Sequence, residues 1–373
     1  MKKKILFIIN SFSTGGGSES LLARIANNLS ADKYEVSIIE VLHRDIKTEK
    51  TRPGITILPY IMHADDPERK EKMYYVFHEP WKVFNEFIGD HYDLYVAFNY
   101  MRPILLLPEG RRCISWMHGD IYNLLENADK IPENRRLENE ALYKVKKIIS
   151  VSDHTTQSVI DVHPEHKEKL ITIYNGIDIE MIRKKAKFPT DISLKSHSML
   201  FVGRLEEHKR PLRLLDILEM VREKNLDVHL YFMGWGVQEE EIKEQIQQRG
   251  LGEYAHLLGY QENPFPIIAQ CDVMCLLSKS EGFPMCLLEG VALDKPFIAT
   301  NIGGAETLSN HQNCGKNIET DYEAVDAVIE FMKMDKSEIQ KRCRESIIRF
   351  DFEKYITQIE AVFDEMLSDE VPE

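Results

Sequence analysis

The chain has 373 residues, 43% of them hydrophobic and 29% charged, and a formal net charge of −14. That length is comfortable for two domains of ordinary size, and the composition is globular rather than disordered or fibrous. Residues 1–180 carry 24 Lys and Arg against 27 Asp and Glu, whereas residues 181–373 carry 23 against 34. The acidic balance argues against nucleic acid as a partner, and the less acidic first half suits a surface near anionic lipid. No stretch approaches the ~20 apolar residues that span a bilayer. The apolar run from Ile5 ends at Asn10, too short for a secretion signal. Six scattered cysteines without a C-x-x-C pair read as free thiols in a reducing, cytoplasmic compartment, and Cys271 and Cys275 lack the further ligands of a metal pair.

In chain order, residues 4–10 predict a buried strand. Ser11 to Gly17 then form a glycine loop, and Leu21, Leu22, Ile25 and Leu29 fall at helical spacing. Strand, glycine loop and helix is a phosphate-binding arrangement. The loop lacks the last glycine of a dinucleotide fingerprint, which speaks against a dehydrogenase. Further strands are expected at Tyr34–Val41, Ile55–Leu58, Asp93–Phe98 and Cys113–Met117, alternating with helices near 80–89 and 133–146, so a parallel sheet covered on both faces is predicted. His118 stands at the carboxyl end of one such strand, the edge where open α/β sheets hold ligands. Lys146 to Asp153 reads as a strand entering a helix capped by Ser152 or Asp153, and Leu170 to Asp178 closes the first half. Residues 181–197 have the composition of a loop, which places the domain boundary there.

The second half restarts the theme. Ser198 to Gly203 is a strand, and Arg204 and Lys209 flank the loop before a helix opened by Pro211. Two cations there suit a diphosphate, Arg through its fork and Lys as a point charge. A strand at Asp227–Gly234 ends in the loop Gly234-Trp235-Gly236, an exposed helix follows at 238–248, and the segment from His256 through Leu258 and Gly259 to Tyr260 comes next. Asp272–Leu277 predicts a buried strand, Ser278–Phe283 a loop, and Pro284 the first turn of a helix. The N–H groups of Met285, Cys286 and Leu287 would then face an anion together with the positive end of the helix dipole. Glu289 sits in an apolar helical run where burying a carboxylate is costly unless something binds it, and a ribose would supply hydroxyl donors. Helices are expected at 321–334, 336–350 and 352–367, the last with Phe352, Tyr355, Ile356, Ile359, Val362, Phe363 and Leu367 on one stripe, and residues 368–373 as a frayed end.

Glu281 to Glu289, with Gly-Phe-Pro after the first glutamate, resembles the E-x7-E signature of retaining glycosyltransferases of family 4, of the bacterial cell-surface polysaccharide type. Gly203-Arg204 with Lys209, the first glycine loop and Asn175-Gly-Ile-Asp178 resemble further motifs of the same family, and the likeness covers nearly the whole chain. It implies an α/β GT-B fold, two Rossmann-like doubly wound parallel-sheet domains facing a cleft. Residues 1–180 would bind the acceptor, residues 190–351 would bind the nucleotide-sugar donor, and the C-terminal helix 352–367 would cross back to the first domain.

The resemblance assigns Glu281 to a sugar hydroxyl, Glu289 to the ribose, His118 to the transferred sugar and Arg204 with Lys209 to the diphosphate. It also assigns the backbone near Leu258 and Tyr260 to the base, and Gly16, Gly17, Gly203, Gly234, Phe283, Pro284, Met285, Cys286 and Leu287 to the donor site. The implied partners are a nucleotide-sugar, expected to be UDP-linked, and a glycan or lipid-linked acceptor at the inner membrane face, with peripheral membrane contact through Arg111-Arg112. No D-x-D triplet occurs, so metal-independent transfer without a cofactor is expected. A GT-B nucleotide-sugar epimerase and a noncatalytic sugar-nucleotide-binding subunit are the alternatives.

Overall fold

The computed structural model describes residues 1–100, 102–121, 132–311 and 313–368. The expected frayed end lies, beyond Ser368, outside the described residues. The chain divides into two compact units, Met1–Tyr174 with Lys354–Glu373, and Asn175–Glu353.

The first unit is built on β1 (Lys3–Ile9), β2 (Tyr34–Glu40), β4 (Thr56–Ile57), β6 (Leu94–Ala97), β7 (Cys113–Met117), β8 (Lys147–Ser150) and β9 (Leu170–Thr172); β3 (Leu42–His43) and β5 (Met62–His63) form a separate two-stranded ladder. The strand order is β4-β2-β1-β6-β7-β8-β9, and every pairing is parallel. Strands in such a sheet are buried on both faces, which is why Ile5–Ile9 and Leu94–Phe98 are uninterrupted apolar runs with no exposed residue. The helix Arg69–His78 was not expected, and the predicted helix near 80–89 is a short α-turn, Pro80–Val83, continuing as a π-turn, Phe84–Ile88. Ile104–Leu107 are buried in the core of this unit, Arg111 pairs with Asp90, and Arg112 donates to the carbonyl of Ser368. Both arginines suggested for lipid contact are therefore engaged within the unit.

The C-terminal helix Phe352–Leu367 has the predicted bounds, and its apolar stripe is buried throughout. Phe363 packs against Phe7 at 6.1 Å and edge-on to Tyr34 at 6.2 Å. Lys33 pairs with Glu360 and Asp364, and Lys147 with Glu365 at 2.8 Å.

The second unit contains β10 (Ser198–Val202), β11 (His229–Met233), β12 (Ala255–Gly259), β13 (Val273–Leu276), β14 (Phe297–Thr300) and β15 (Gly315–Ile318), again all parallel, in the order β12-β11-β10-β13-β14-β15. Chain order reverses between β10 and β13, as it does between β1 and β6 in the first unit. Loops leaving adjacent strands in opposite directions at such a point open a crevice at the carboxyl edge, the general binding position of open α/β sheets.

The stretch 181–197, expected to be a loop, begins inside a helix, Ile179–Lys185. Asp178 caps it by accepting from Met181 N–H at 2.8 Å, and Arg183, Lys184 and Lys185 complement the negative end of its dipole. Pro211 precedes its helix, Arg213–Glu223, rather than opening it. Among the described residues no helix is long and apolar enough to cross a membrane.

Candidate active site

The second unit brings the motif residues together at its reversal point. After β10 the chain runs through Gly203, Arg204 and a 3-10 turn, Glu207–Lys209; after β13 it runs through Ser278 and Glu281 into the helix Met285–Ala292. Lys209 Nζ pairs directly with Glu281 Oε1, both side chains being mostly buried, at 17% and 13% exposure. The same Oε1 accepts from Ser278 Oγ at 2.6 Å, and Thr300 Oγ1, at the end of β14, donates to the Ser278 carbonyl at 2.6 Å. A backbone bond from Lys279 N–H to the His208 carbonyl, at 2.7 Å, clamps the two loops.

Arg204 is turned outward, 58% exposed, with Nη1 bonded to Glu206 at 2.9 Å. It is still in the field of the group: burial lowers the His208 pKa first, Lys209 and Arg204 lower it further, and Glu281 and Glu206 oppose them. Burial, reinforced by Glu281 and Glu289, pushes the Cys286 thiol up to about 12, with Lys209 opposing. Cys286 thus lies within electrostatic reach of both glutamates.

The helix start differs from the expectation in one respect. Pro284 has ψ 90°, extended, so it is the cap residue and Met285 is the first helical residue. The N–H groups of Leu287 and Leu288 both reach the Pro284 carbonyl, at 3.1 and 3.2 Å. Leu287 is therefore not a free donor, and Met285 and Cys286 carry the N–H groups that lie ahead of the first bond.

Two glycine loops set the height of Arg204. A Cβ on Gly234, whose φ is +145°, would stand 1.8 Å from the Gly203 carbonyl oxygen, and one on Gly236 would stand 2.3 Å from that of Leu205. Only residues without a Cβ permit that contact, which Gly203 N–H to Met233 O (3.0 Å) and Leu205 N–H to Trp235 O (2.8 Å) then fix. Gly234 N–H in turn donates to the Gly259 carbonyl, and Gln261 Nε2 to that of Leu258, each at 2.9 Å, while Tyr260 is exposed.

In the first unit, Gly16 caps the helix Gly17–Asn28 that follows the loop after β1. Glu40, the last residue of β2, holds that loop: its Oε2 accepts from Phe12 N–H at 2.7 Å and Ser13 Oγ at 2.9 Å, and its Oε1 meets His43 Nδ1. His118 follows β7 with its ring 4.4 Å from that of Phe98 and stacked on Trp116 at 5.9 Å. Its Nε2 is buried with no hydrogen-bond partner among the described residues, and burial lowers its pKa to about 3. His118 is thus a neutral ring, able to exchange hydrogen bonds but carrying no charge near neutral pH.

The family model described as Glycosyltransferase Family 4 matches residues 15–181, and the one described as Glycosyl transferases group 1 matches residues 182–350. The chain belongs to this glycosyltransferase family. It is 32% identical over 157 residues to the N-acetylgalactosamine-N,N'-diacetylbacillosaminyl-diphospho-undecaprenol 4-alpha-N-acetylgalactosaminyltransferase of Campylobacter jejuni, 42% of each chain being covered. It is 28% identical over 236 residues to the UDP-Gal:alpha-D-GlcNAc-diphosphoundecaprenol alpha-1,3-galactosyltransferase of Escherichia coli, covering 57% of this chain and 61% of that enzyme. The matched stretches thus span about half the length of these curated relatives. The crystal structure of Anabaena HepE in complex with UDP has the same fold, with a TM-score of 0.71 at 18% identity, covering 98% of this chain and all of the other.

In this family-4 protein the expected donor residues divide by what their side chains do. Phe283 is 6% exposed, packs on Phe350 at 5.5 Å and stands where a Cβ on Gly304 would be 2.4 Å from its Cδ2. Its ring and the Leu287 side chain belong to the core, so any contact they make with a ligand comes through the backbone. Glu289 is half-buried on the helix, one turn beyond the free N–H groups. Ser278, a partner of Glu281, and Thr300, which fastens the Ser278 carbonyl, were missed. A hydroxyl three residues before the glutamate was visible in the sequence, whereas the Thr300 contact depends on the strand pairing of β13 with β14.

Proposed function

We propose that the protein transfers a sugar from a UDP-linked donor to a glycan or lipid-linked acceptor in surface polysaccharide synthesis. The observation that carries this reading is the Lys209–Glu281 pair at the reversal point of the second unit, beside a helix start whose first two N–H groups have no partner among the described residues. The undecaprenyl-linked substrates in the names of the bacterial relatives, and the UDP in the HepE structure, support the acceptor and donor classes.

In this mechanism Arg204, Lys209 and the N–H groups of Met285 and Cys286 stabilise the charge that grows on the departing diphosphate, without a metal ion. Glu281 holds a sugar hydroxyl, Glu289 the ribose, and neutral His118 the transferred sugar. The acceptor oxygen attacks the anomeric carbon on the face the diphosphate leaves; the C–O bond to phosphate breaks as the new glycosidic bond forms, and the acceptor proton passes to the departing phosphate. Configuration is retained. The protein acts in the cytoplasm at the inner membrane face, where a lipid-linked acceptor would be met.

A panel of UDP- and GDP-sugars assayed with undecaprenyl-type acceptors tests the reading. Stabilisation by UDP, transfer with the donor's anomeric configuration and activity in EDTA are expected. Absence of stabilisation by every nucleotide would end it, and activity lost in EDTA and restored by Mg²⁺ would contradict the metal-free mechanism.

A further inference from the structure

We propose that Ser278 and Thr300 are positioning residues that aim Glu281, so that one carboxylate oxygen is held by the protein and the other is presented to the donor sugar. The inference rests on the donor reading of this site. Glu281 Oε1 takes both protein donors, Lys209 Nζ and Ser278 Oγ, and Oε2 has no partner among the described residues. Ser278 is fully buried just beyond β13, and Thr300 Oγ1 fastens its carbonyl to the end of β14. The hydroxyl is therefore tied to the sheet rather than to the mobile end of a long side chain.

The two holders differ in what a bound nucleotide does to them. A diphosphate arriving beside Lys209 competes for its ammonium group, because phosphate and carboxylate draw on the same charge. Ser278 is neutral and buried, and its bond to Oε1 does not compete for the phosphate. In the loaded state Ser278 is the contact that keeps Glu281 from rotating, and Thr300 keeps Ser278 in register. The sugar is read by Oε2 alone, which fixes one hydroxyl direction and makes the Ser278–Glu281 bond part of the discrimination between sugars.

The test uses the full-length protein and the nucleotide-sugar it turns over best. Ser278→Ala is expected to lower kcat roughly 10- to 100-fold, the scale of one hydrogen bond to a charged group. UDP alone, which lacks the sugar, should bind within about twofold of wild type. Ser278→Thr should restore most of the rate, and Thr300→Val should fall between Ser278→Ala and wild type. If Ser278 acts through Glu281, adding Ser278→Ala to Glu281→Ala should cost almost nothing further, a non-additivity that general loss of structure would not produce. Equal losses of UDP affinity and rate, additive losses in the double variant, or a rate within twofold of wild type would each overturn the inference while leaving the donor reading intact. A wild-type protein that neither binds UDP nor turns over any sugar nucleotide overturns both.

Discussion

Lys209 Nζ and Glu281 Oε1, 72 residues apart in the chain, form an ion pair at the carboxyl edge of one parallel sheet. Both belong to motifs read from the sequence, and their contact ties the cation assigned to the phosphate to the carboxylate assigned to the sugar. Arg204, 58% exposed and bonded to Glu206, has no such anchor.

The two cations should therefore fail differently. Lys209→Ala removes a holder of Glu281 and, on the proposed function, a phosphate partner, so kcat should fall about 10²- to 10³-fold, the loss typical of one preorganised electrostatic contact. Arg204→Ala removes an exposed side chain that is bonded to Glu206 rather than to Glu281. A smaller loss, about tenfold in kcat/KM, is expected there. Steady-state kinetics on both variants and their double mutant would check this, and a larger effect of Arg204 would reverse the ranking.

Glu289 gives the ribose test. If Glu289 holds the ribose as proposed, the bond forms in ground state and transition state alike, so Glu289→Ala should raise the donor KM and the UDP Kd together by roughly 10- to 100-fold, with kcat little changed. Calorimetric titration with UDP reads this directly. Unaltered UDP affinity would remove Glu289 from the ribose.

Gly234 is a packing requirement before it is a ligand contact. Gly234→Ala places a methyl 1.8 Å from the Gly203 carbonyl oxygen at a φ of +145°, so the loops must part. A loss of about 3 kcal/mol or more in stability is expected, with weakened UDP binding in the protein that remains folded. Gly252→Ala, with open space around the added carbon, should change stability by less than about 1 kcal/mol. Thermal melts of the two variants make the comparison.

Legibility followed the range of the interactions. The terminal helix Phe352–Leu367 could be bounded from its stripe because period 3.6 sustained over sixteen residues needs no tertiary information. The cap Asp178 stood in plain view, yet the lysine-rich turn after it read as linker, since propensity says little about a seven-residue helix. The two-residue strands β3 and β5 are shorter than any periodicity can reveal. At the site, the E-x7-E spacing led to Glu281 and Glu289. That Pro284 is a cap rather than a first helical residue, which costs Leu287 its free N–H, depended on a backbone angle that the residue type does not dictate.

Two histidines in the first unit should respond to pH with opposite signs. Burial holds His118 neutral down to about 3, below the ordinary ~6.5 of the unfolded chain, so its contribution to stability is present above about pH 6.5 and is lost as pH falls toward 3. At His43 burial also lowers the pKa, but hydrogen bonds to Glu40 and Asp45 outweigh it and raise the value overall. The His43 contribution is therefore complete below about pH 6.5 and is lost as pH rises through the raised folded value. Glu40, which pairs with His43 through Oε1, also holds Phe12 N–H and Ser13 Oγ at the start of the glycine loop. Melting temperatures across about pH 4.5 to 8.5 should separate the two effects. The gap between wild type and His118→Asn should move against wild type on the acid side, and the gap to His43→Gln should close on the alkaline side. A His43→Gln gap that stays constant through pH 8.5 would mean that the ring contributes by packing on Tyr60 rather than by charge.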